Sequence, residues 1–420
     1  MADRFSWIEE DNVKMRIVGA SVVVSVLAVA LSGTTAHAQK KYDAGASDTE
    51  VKIGQTMPYS GPVSVLSIEG RVQVAYYKMI NERGGINGRT INLISVDDGY
   101  SPPKTVEQTR RLVEQEGVLA LVGSLGTPTN VAVRKYLNQK KVPQLLVLSS
   151  SAQWNKPEEY PYSTSMFLAA DQEAIAMGKY IAQTHPGRKI GILYQNDDYG
   201  KDFVRGLKEG LGDNGRHMIV KDLGHEVADP TIDSQVVSLK AAGADIFVAA
   251  TTTRFAALAI RKVSELQWKP VRILAGGAIS SLKAVLDPEI AKGLVSMSFY
   301  RDPSDPKLET EKDGQEYFAF MKKYAPNDNP KEMSALLAYL AAQVGAHIIS
   351  ESGDDLTREN LLKVATNLNH APVKLLLDGV AVSTSPTNYL PVKSARFVEF
   401  DGTSWSPFGA SVDVSETISR

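Results

Sequence analysis

The sequence predicts an α/β protein of two similarly built lobes, each a parallel sheet with helices on both faces. Three observations carry this. Short apolar runs alternate with amphipathic helical runs from residue 51 onward. The alternation lapses over the helix-poor stretch 149–171 and then restarts. Past residue 300 the Pro-rich segment Asp302-Pro303 and Asp305-Pro306 reads as a return between lobes. Alternation of this length makes right-handed βαβ units and parallel sheets, and the order of the runs has the chain cross the waist three times.

In the first run, strand 51–57 leads to a helix on which Val72, Ala75, Tyr76, Met79 and Ile80 recur at helical spacing, and Gly84-Gly85 ends it. Strand 90–96, helix 104–116, strand 118–122, helix 128–140 and strand 144–148 follow. The second run has helices 172–184, 200–212, 231–242 and 254–267 around strands 189–194, 218–222, 245–250 and 271–275. Later helices are expected at 310–324, 332–350 and 357–367, then a strand at 395–400 and a turn at Asp401-Gly402. The expected lobes are 48–170 with 300–375, and 171–299 with 376–420. Open parallel sheets bind ligands beyond the carboxyl ends of their strands, so the cleft between lobes is the expected site.

Composition narrows the function. Among 420 residues the net charge is −2, which leaves no electrostatic footprint for nucleic acid or an acidic membrane. Lys14 and Arg16 precede an apolar run, 17–31, which ends in small residues and Ala36-His37-Ala38. That is the pattern of a secretory signal peptide over 1–38, cleaved after Ala38, with Met15 an alternative start. The sequence has no cysteine, which excludes a lipoprotein anchor, a disulfide framework and thiolate metal ligation. The mature chain is expected to be exported, soluble and monomeric.

The stretch Leu121 to Asn130 concentrates the chemistry. An apolar strand enters a glycine-bracketed turn, Gly123 to Gly126, and a helix opens with Thr127 as N-cap and Pro128 at its first position. Such a turn aims unpaired N–H groups and a positive dipole end out of the sheet edge, toward a carboxylate or phosphate.

At this point the residues resemble the solute-binding proteins of branched-chain amino acid ABC transporters, the Leu/Ile/Val-binding family. Val51-Lys52-Ile53-Gly54 with Ser60-Gly61-Pro62 carries the resemblance, as do Ile80 to Arg89, Asp97-Asp98 and the Gly123 to Asn130 turn. So do Val142-Pro143, Gln195 to Gly200 and Arg301-Asp302-Pro303. The resemblance implies two Rossmann-like lobes of the type I periplasmic binding protein, joined by a three-crossing hinge. It also implies a periplasmic location and, as partners, a membrane permease and its ATPase.

Position by position, the resemblance places ligand-carboxylate hydroxyls on Thr127, beside Gly126, and on Ser150 within Ser149-Ser150-Ser151. It places the second-lobe tyrosine on Tyr199. An aromatic lid position falls on Leu66 and another tyrosine on Thr252. The acid that pairs with a ligand ammonium falls around Gly277 to Ala278, where no carboxylate stands, and Asp287 and Glu289 are too far along. A desolvated ammonium without a counter-charge costs several kcal/mol. The expected ligand is therefore a carboxylate with an apolar or aromatic body, such as an aromatic, fatty or dicarboxylic acid. Trp154, Tyr199 and Phe299 or Tyr300 are candidates to stack on it. A branched-chain amino acid stays open if Asp98 or Asp198 reaches the cleft.

Other constellations read as structure. Asp97-Asp98 and Asp197-Asp198 end strands and cap turns rather than bind metal. The six histidines are scattered, and neither a metal nor a cofactor is expected. Ser149-Ser150-Ser151 lacks the nucleophile elbow, Gly84, Gly85 and Gly88 sit in a helix-to-strand turn, and Tyr76-Tyr77 read as packing. A receptor for import, a secreted enzyme on the same scaffold and a ligand sensor are the function classes. Without a base paired to a nucleophile, the enzyme is the weakest.

Overall fold

Strands of two to nine residues, mostly apolar and closed by polar turns, form two main sheets, and the computed structural model describes residues 40–213 and 215–415. The expected signal peptide lies outside the described residues. A two-residue strand, β1 (Lys41–Tyr42), comes first. The first sheet then takes β2 (Glu50–Met57), β3 (Thr90–Asp97), β4 (Leu121–Val122), β5 (Gln144–Val147) and β6 (Ser163–Ser165) in the order β3-β2-β4-β5-β6. All its pairings are parallel. Helices α1 (Ile68–Glu82), α2 (Pro102–Arg110) and α3 (Thr127–Gln139) connect its strands.

Helix α4 (Ala170–Thr184) carries the chain to the second sheet. There β7 (Ile190–Gln195), α5 (Asp198–Leu211), β8 (Ile219–His225), α6 (Asp233–Ala241), β9 (Ile246–Ala250), α7 (Thr253–Glu265), β10 (Val271–Leu274) and β11 (Val295–Ser298) alternate. Three glycines let α4 and α5 touch backbone to backbone. A Cβ on Gly206 would lie 2.2 Å from the Asp171 carbonyl, one on Gly210 2.2 Å from that of Ile175, and one on Gly178 2.7 Å from that of Leu207. That contact fixes the first crossing helix onto the second lobe.

The chain then returns. Helices α8 (Lys312–Tyr324) and α9 (Met333–Glu351) pack on α1 of the first lobe. Tyr76 meets Tyr339 at 5.3 Å and Phe320 at 6.0 Å, both edge to face, so the Tyr76-Tyr77 pair is packing, as its helical spacing suggests. Helix α9 is long and apolar enough to cross a membrane, but 83% of its most apolar window is buried inside the protein. It is a core helix. After β12 (Asp355–Leu356), which pairs with β1, and α10 (Arg358–Ala365), the chain crosses a third time. Strand β13 (Ser394–Phe400) adds antiparallel to β11 and β14 (Trp405–Asp413) antiparallel to β13, giving the order β14-β13-β11-β10-β9-β7-β8.

Several expected elements shift. Helix 104–116 is α2 from 102 to 110 followed by a π-turn over 111–115, and strand 118–122 narrows to two residues. Strand β6 lies inside the stretch expected to be irregular. Its sequence, Ser163-Thr164-Ser165, has no apolar alternation. It is held by polar bonds instead: Ser165 Oγ donates to the Ser149 carbonyl (2.8 Å), and Leu146 N–H donates to Thr164 Oγ1 (3.1 Å).

Candidate functional site

The glycine turn after β4 shapes the start of α3 in a way the sequence does not suggest. Gly126, at φ 106° and ψ 143°, is the N-cap, and no side chain caps the helix. Thr127 is therefore the first helical residue and Pro128 the second, which corrects the expectation of a Thr127 cap. Only glycine fits at 126. A Cβ there would stand 2.5 Å from Thr129 Oγ1 and 2.6 Å from the Tyr100 ring, at a backbone angle L-residues avoid.

Released from capping, the Thr127 hydroxyl joins a chain of polar contacts. Trp154 Nε1 donates to Ser149 Oγ (2.7 Å), and the Ser151 N–H approaches the same oxygen (3.4 Å). Ser149 Oγ and Thr127 Oγ1 lie 2.6 Å apart. With both lone pairs of Ser149 engaged, its proton goes to Thr127, and the Thr127 proton points elsewhere. Thr127 lines a space beyond it.

That space is a small cavity of about 60 Å³ where the two lobes meet. From the first lobe it is lined by Leu66, Glu69, Tyr100, Leu125, Gly126, Thr127, Leu148, Ser149, Ser150 and Phe167. From the second come Tyr199, Thr251, Thr252, Gly277 and Ser280. A second pocket, of only about 20 Å³, shares Ser150, Phe167 and Gly277, and adds Glu173, Phe299 and Tyr300 among others. The lobes are joined beside the cavity: Asp202 Oδ2 on α5 accepts from Ser151 Oγ (2.7 Å) and the Ala152 N–H (2.8 Å), while Oδ1 pairs with Arg205 (2.7 Å).

Seven of the residues singled out in the sequence thus line one cavity: Leu66, Gly126, Thr127, Ser149, Ser150, Tyr199 and Thr252. Trp154 does not. It is buried, 1% exposed, beneath the cavity wall, with the Arg134 guanidinium 5.5 Å from its ring. Its Nε1–H reaches Ser149 (2.7 Å) rather than the cavity. Phe299 and Tyr300 line the second pocket rather than the first.

Among the described residues, three buried polar atoms in the cavity lining have no partner. Tyr199 Oη, Thr252 Oγ1 and Glu69 Oε2 are buried and unbonded, and buried polar groups are otherwise almost always paired. Thr251 differs. His225 donates through Nδ1 to the Glu226 carbonyl (3.0 Å) and so accepts at Nε2 from the Thr251 hydroxyl (2.6 Å), and burial keeps this imidazole neutral by lowering its pKa. Thr251 can therefore only accept from the cavity.

The acids fall into two groups. Asp98 accepts from Tyr100 N–H (2.8 Å) and Thr105 Oγ1 (3.0 Å), and Asp197 caps α5 by accepting from Gly200 N–H (3.2 Å). Burial pushes Asp197 up to about 6. Asp98, Asp197 and Asp198 are not among the cavity's lining residues. Glu69 and Glu173 are, in the first and second pockets respectively, and burial pushes each carboxyl up to about 8. Glu173 accepts the Gly276 N–H (2.6 Å).

Comparison with known proteins settles the class. Residues 50–403 match the family model described as periplasmic binding protein. The chain belongs to the periplasmic binding protein family. The Leu/Ile/Val-binding protein homolog 7 of Brucella abortus is 24% identical over 360 residues, covering 82% of this chain and 84% of the relative. A branched-chain amino acid ABC transporter protein from Thermus thermophilus, solved with bound valine, superposes with a TM-score of 0.77 at 16% identity, over 88% of this chain and 97% of that one. A solute-binding protein from Rhodopseudomonas palustris BisB5, solved with 3,4-dihydroxybenzoic acid, gives 0.73 at 19% identity, over 88% and 99%.

This periplasmic binding protein is a receptor for a small molecule, of the kind that serves ABC transporters, and not an enzyme. Sequence reasoning missed two of its cavity groups. Glu69 sits in the first turn of α1, where an acid normally answers the helix dipole, and Glu173 in the first turn of α4 carries the same signal. The available clue was that Glu69 lies on the face of α1 shared by Val72, Tyr76 and Met79, where a charge is out of place.

Proposed function

We propose that this binding protein captures a small organic acid with an apolar or aromatic body between its lobes, 48–170 with 300–375 and 171–299 with 376–420, and hands it to a membrane permease driven by its ATPase. In this reading the chain is exported by its first 38 residues, cleaved after Ala38, and works in the periplasm as a monomer. The observation that carries the reading is the Trp154–Ser149–Thr127 chain of hydrogen bonds. It leaves one hydroxyl proton and an uncapped helix start facing a cavity lined by both apolar and polar groups. A carboxylate satisfies both. Leu66, Leu125, Leu148 and Phe167 supply the apolar body of the site. The dihydroxybenzoic acid in the Rhodopseudomonas palustris protein supports an aromatic acid.

A branched-chain amino acid is the second reading, supported by Glu69 as a carboxyl within the cavity and by the valine in the Thermus thermophilus protein. A thermal-shift screen against benzoates, octanoate, succinate, leucine and valine separates the two. Ligand at a hundredfold excess over Kd stabilises the folded state by about 2.7 kcal/mol. The first reading expects the shift from the acids. A shift from leucine or valine alone overturns it.

A further inference from the structure

Glu69 is the least explained group in the cavity. It is 1% exposed, and its Oε2 has no hydrogen-bond partner. Its backbone carbonyl accepts from Gln73 Nε2 (3.2 Å), but nothing comparable reaches the carboxyl. Among the described residues no basic group answers it. Arg71, two residues along α1, is turned to Asp328 (2.6 Å) and Ser67 (2.7 Å). The titratable groups around it are the phenols of Tyr100 and Tyr199 in the same cavity and that of Tyr300, which feels its charge, together with Glu173 in the adjoining pocket. The phenols are held neutral by burial, and Glu173 adds a second acid rather than a counter-charge.

A buried, unpaired carboxyl among neutral groups is stable only as the neutral acid. As such it is a donor: one O–H, aimed into a cavity whose other free groups are hydroxyls.

We propose that Glu69 is a ligand-recognition residue that works as a neutral carboxylic acid, donating its O–H to an oxygen of the bound organic anion, so that capture of the ligand and retention of this proton are one event. The proposal rests on the organic-acid reading above and assigns that ligand its second anchor, apart from Thr127. The linkage has a definite sign. A ligand carboxylate in the same cavity disfavours the Glu69 carboxylate further, so the complex holds the proton to higher pH than the empty receptor does. Burial already lifts Glu69 to about 8 in the empty protein. Affinity is therefore full below that value and declines as pH rises through it, by up to about tenfold per pH unit for one linked proton. An ammonium ligand requires the opposite: it must expel the proton, and its affinity rises with pH.

The test is titration calorimetry of the full-length mature protein with benzoate, 4-hydroxybenzoate, octanoate and leucine, from pH 6 to 9.5, in two buffers of different ionisation enthalpy. The expected result is binding of at least one of the acids, with weaker affinity and net proton uptake as pH passes 8. E69Q, which donates but cannot ionise, is expected to flatten that decline, and Glu69→Met to weaken binding at least tenfold below pH 8, with a flat profile whose gap to the wild type closes as pH rises above 8. An acid that binds with no proton uptake and a flat profile overturns the role of Glu69 and leaves the organic-acid reading standing. Leucine binding with proton release and affinity rising with pH overturns both, as does failure of every probe to bind. The wild-type profile and buffer pair decide the matter even where a variant fails to fold.

Discussion

The walls of the cavity contributed by the two lobes are built from the same kinds of group and finished differently. On the first-lobe wall the hydroxyls of Thr127 and Ser149 are tied to each other and to the Trp154 indole, and the helix start behind them is fixed by a glycine that no other residue replaces. On the second-lobe wall Tyr199 and Thr252 carry buried hydroxyls with no partner. Around Thr127 the first wall is pre-organised, so its hydrogen bonds there are set before a ligand arrives, and Glu69 is the one group on it left unpaired among those described. The second is left short of partners, a deficit that costs the empty protein stability and is relieved only by something entering the cleft. That asymmetry suits a hinge-closing receptor. In the proposed reading one lobe selects, and the other gains by closing on what has been selected.

Glu69 and Glu173 carry the largest expected effect, because here the cost of an unfinished site falls on folding itself. Both carboxyls rise from 4.5 to about 8 on burial. Between those values the unfolded chain releases protons that the folded chain keeps. Stability contributed by the neutral acids is thus fully present below pH 4.5 and is lost as pH rises toward 8, by up to about 1.4 kcal/mol per pH unit for each group. Urea unfolding of the ligand-free protein at pH 5, 6, 7 and 8 should show the midpoint falling steadily, and Glu173→Gln should reduce the slope by about half. A midpoint that holds level or climbs over this range removes the neutral acids from the description.

Thr127→Val sharpens the contrast from the pre-organised side. It keeps the shape and deletes the donor. A hydrogen bond to a charged group contributes about 1.5–3 kcal/mol, so affinity for the bound acid should fall roughly thirtyfold. Stability should fall by only about 1 kcal/mol, the cost of the lost Ser149 partner, because Gly126 and not Thr127 caps the helix. Calorimetry and urea unfolding on the same preparation separate the two. A stability loss with affinity unchanged would make the hydroxyl structural.

How much of this was legible in the sequence follows from what each feature depends on. The βαβ alternation, the crossings and the packing role of Tyr76-Tyr77 rest on local periodicity, which a single chain displays. The cleft itself follows from strand ends, whereas the placing of Leu66, Ser150, Tyr199 and Thr252 beside Gly126, Thr127 and Ser149 came from the family resemblance, and all seven line one cavity. Strand β6 escaped because its three buried residues are all hydroxyls and mimic a loop. Trp154 was misplaced because an indole after a serine-rich strand end fits a cavity wall as well as a buried donor, and only the fold shows that its N–H points at Ser149. The acids were lost for a subtler reason. The search for a carboxylate looked to Gly277 and Ala278, where a Cβ at 277 would stand 3.3 Å from Tyr199 Oη, whereas Glu69 reaches the same cavity from a helix on the other lobe. Tertiary contact across some 200 residues of chain leaves no local signature.

Trp154→Phe tests the indole's assigned role at smaller scale. It retains the buried ring and removes the Nε1 donor, so Ser149 regains a lone pair and no longer forces its proton onto Thr127. Affinity should drop about fivefold, corresponding to about 1 kcal/mol, with the Kd and not the stoichiometry changing. If Trp154 stacked directly on the ligand, phenylalanine would preserve most of the contact and the loss would be nearer nothing.

The smallest expected effect is on the unfinished wall, and its sign is the informative part. Tyr199→Phe deletes a hydroxyl that is buried and unbonded in the empty protein. Removing a polar group that has no partner is neutral or stabilising, by up to about 1 kcal/mol, so the ligand-free variant should melt at the same temperature as the parent or slightly higher. The ligand-induced shift should shrink, since the bond that would have repaid the buried hydroxyl cannot form. Had the Tyr199 hydroxyl a structural partner, the variant would lose stability without ligand and keep its ligand-induced shift. The two walls would then be equally finished, and closure would have to draw its driving force from the apolar residues alone.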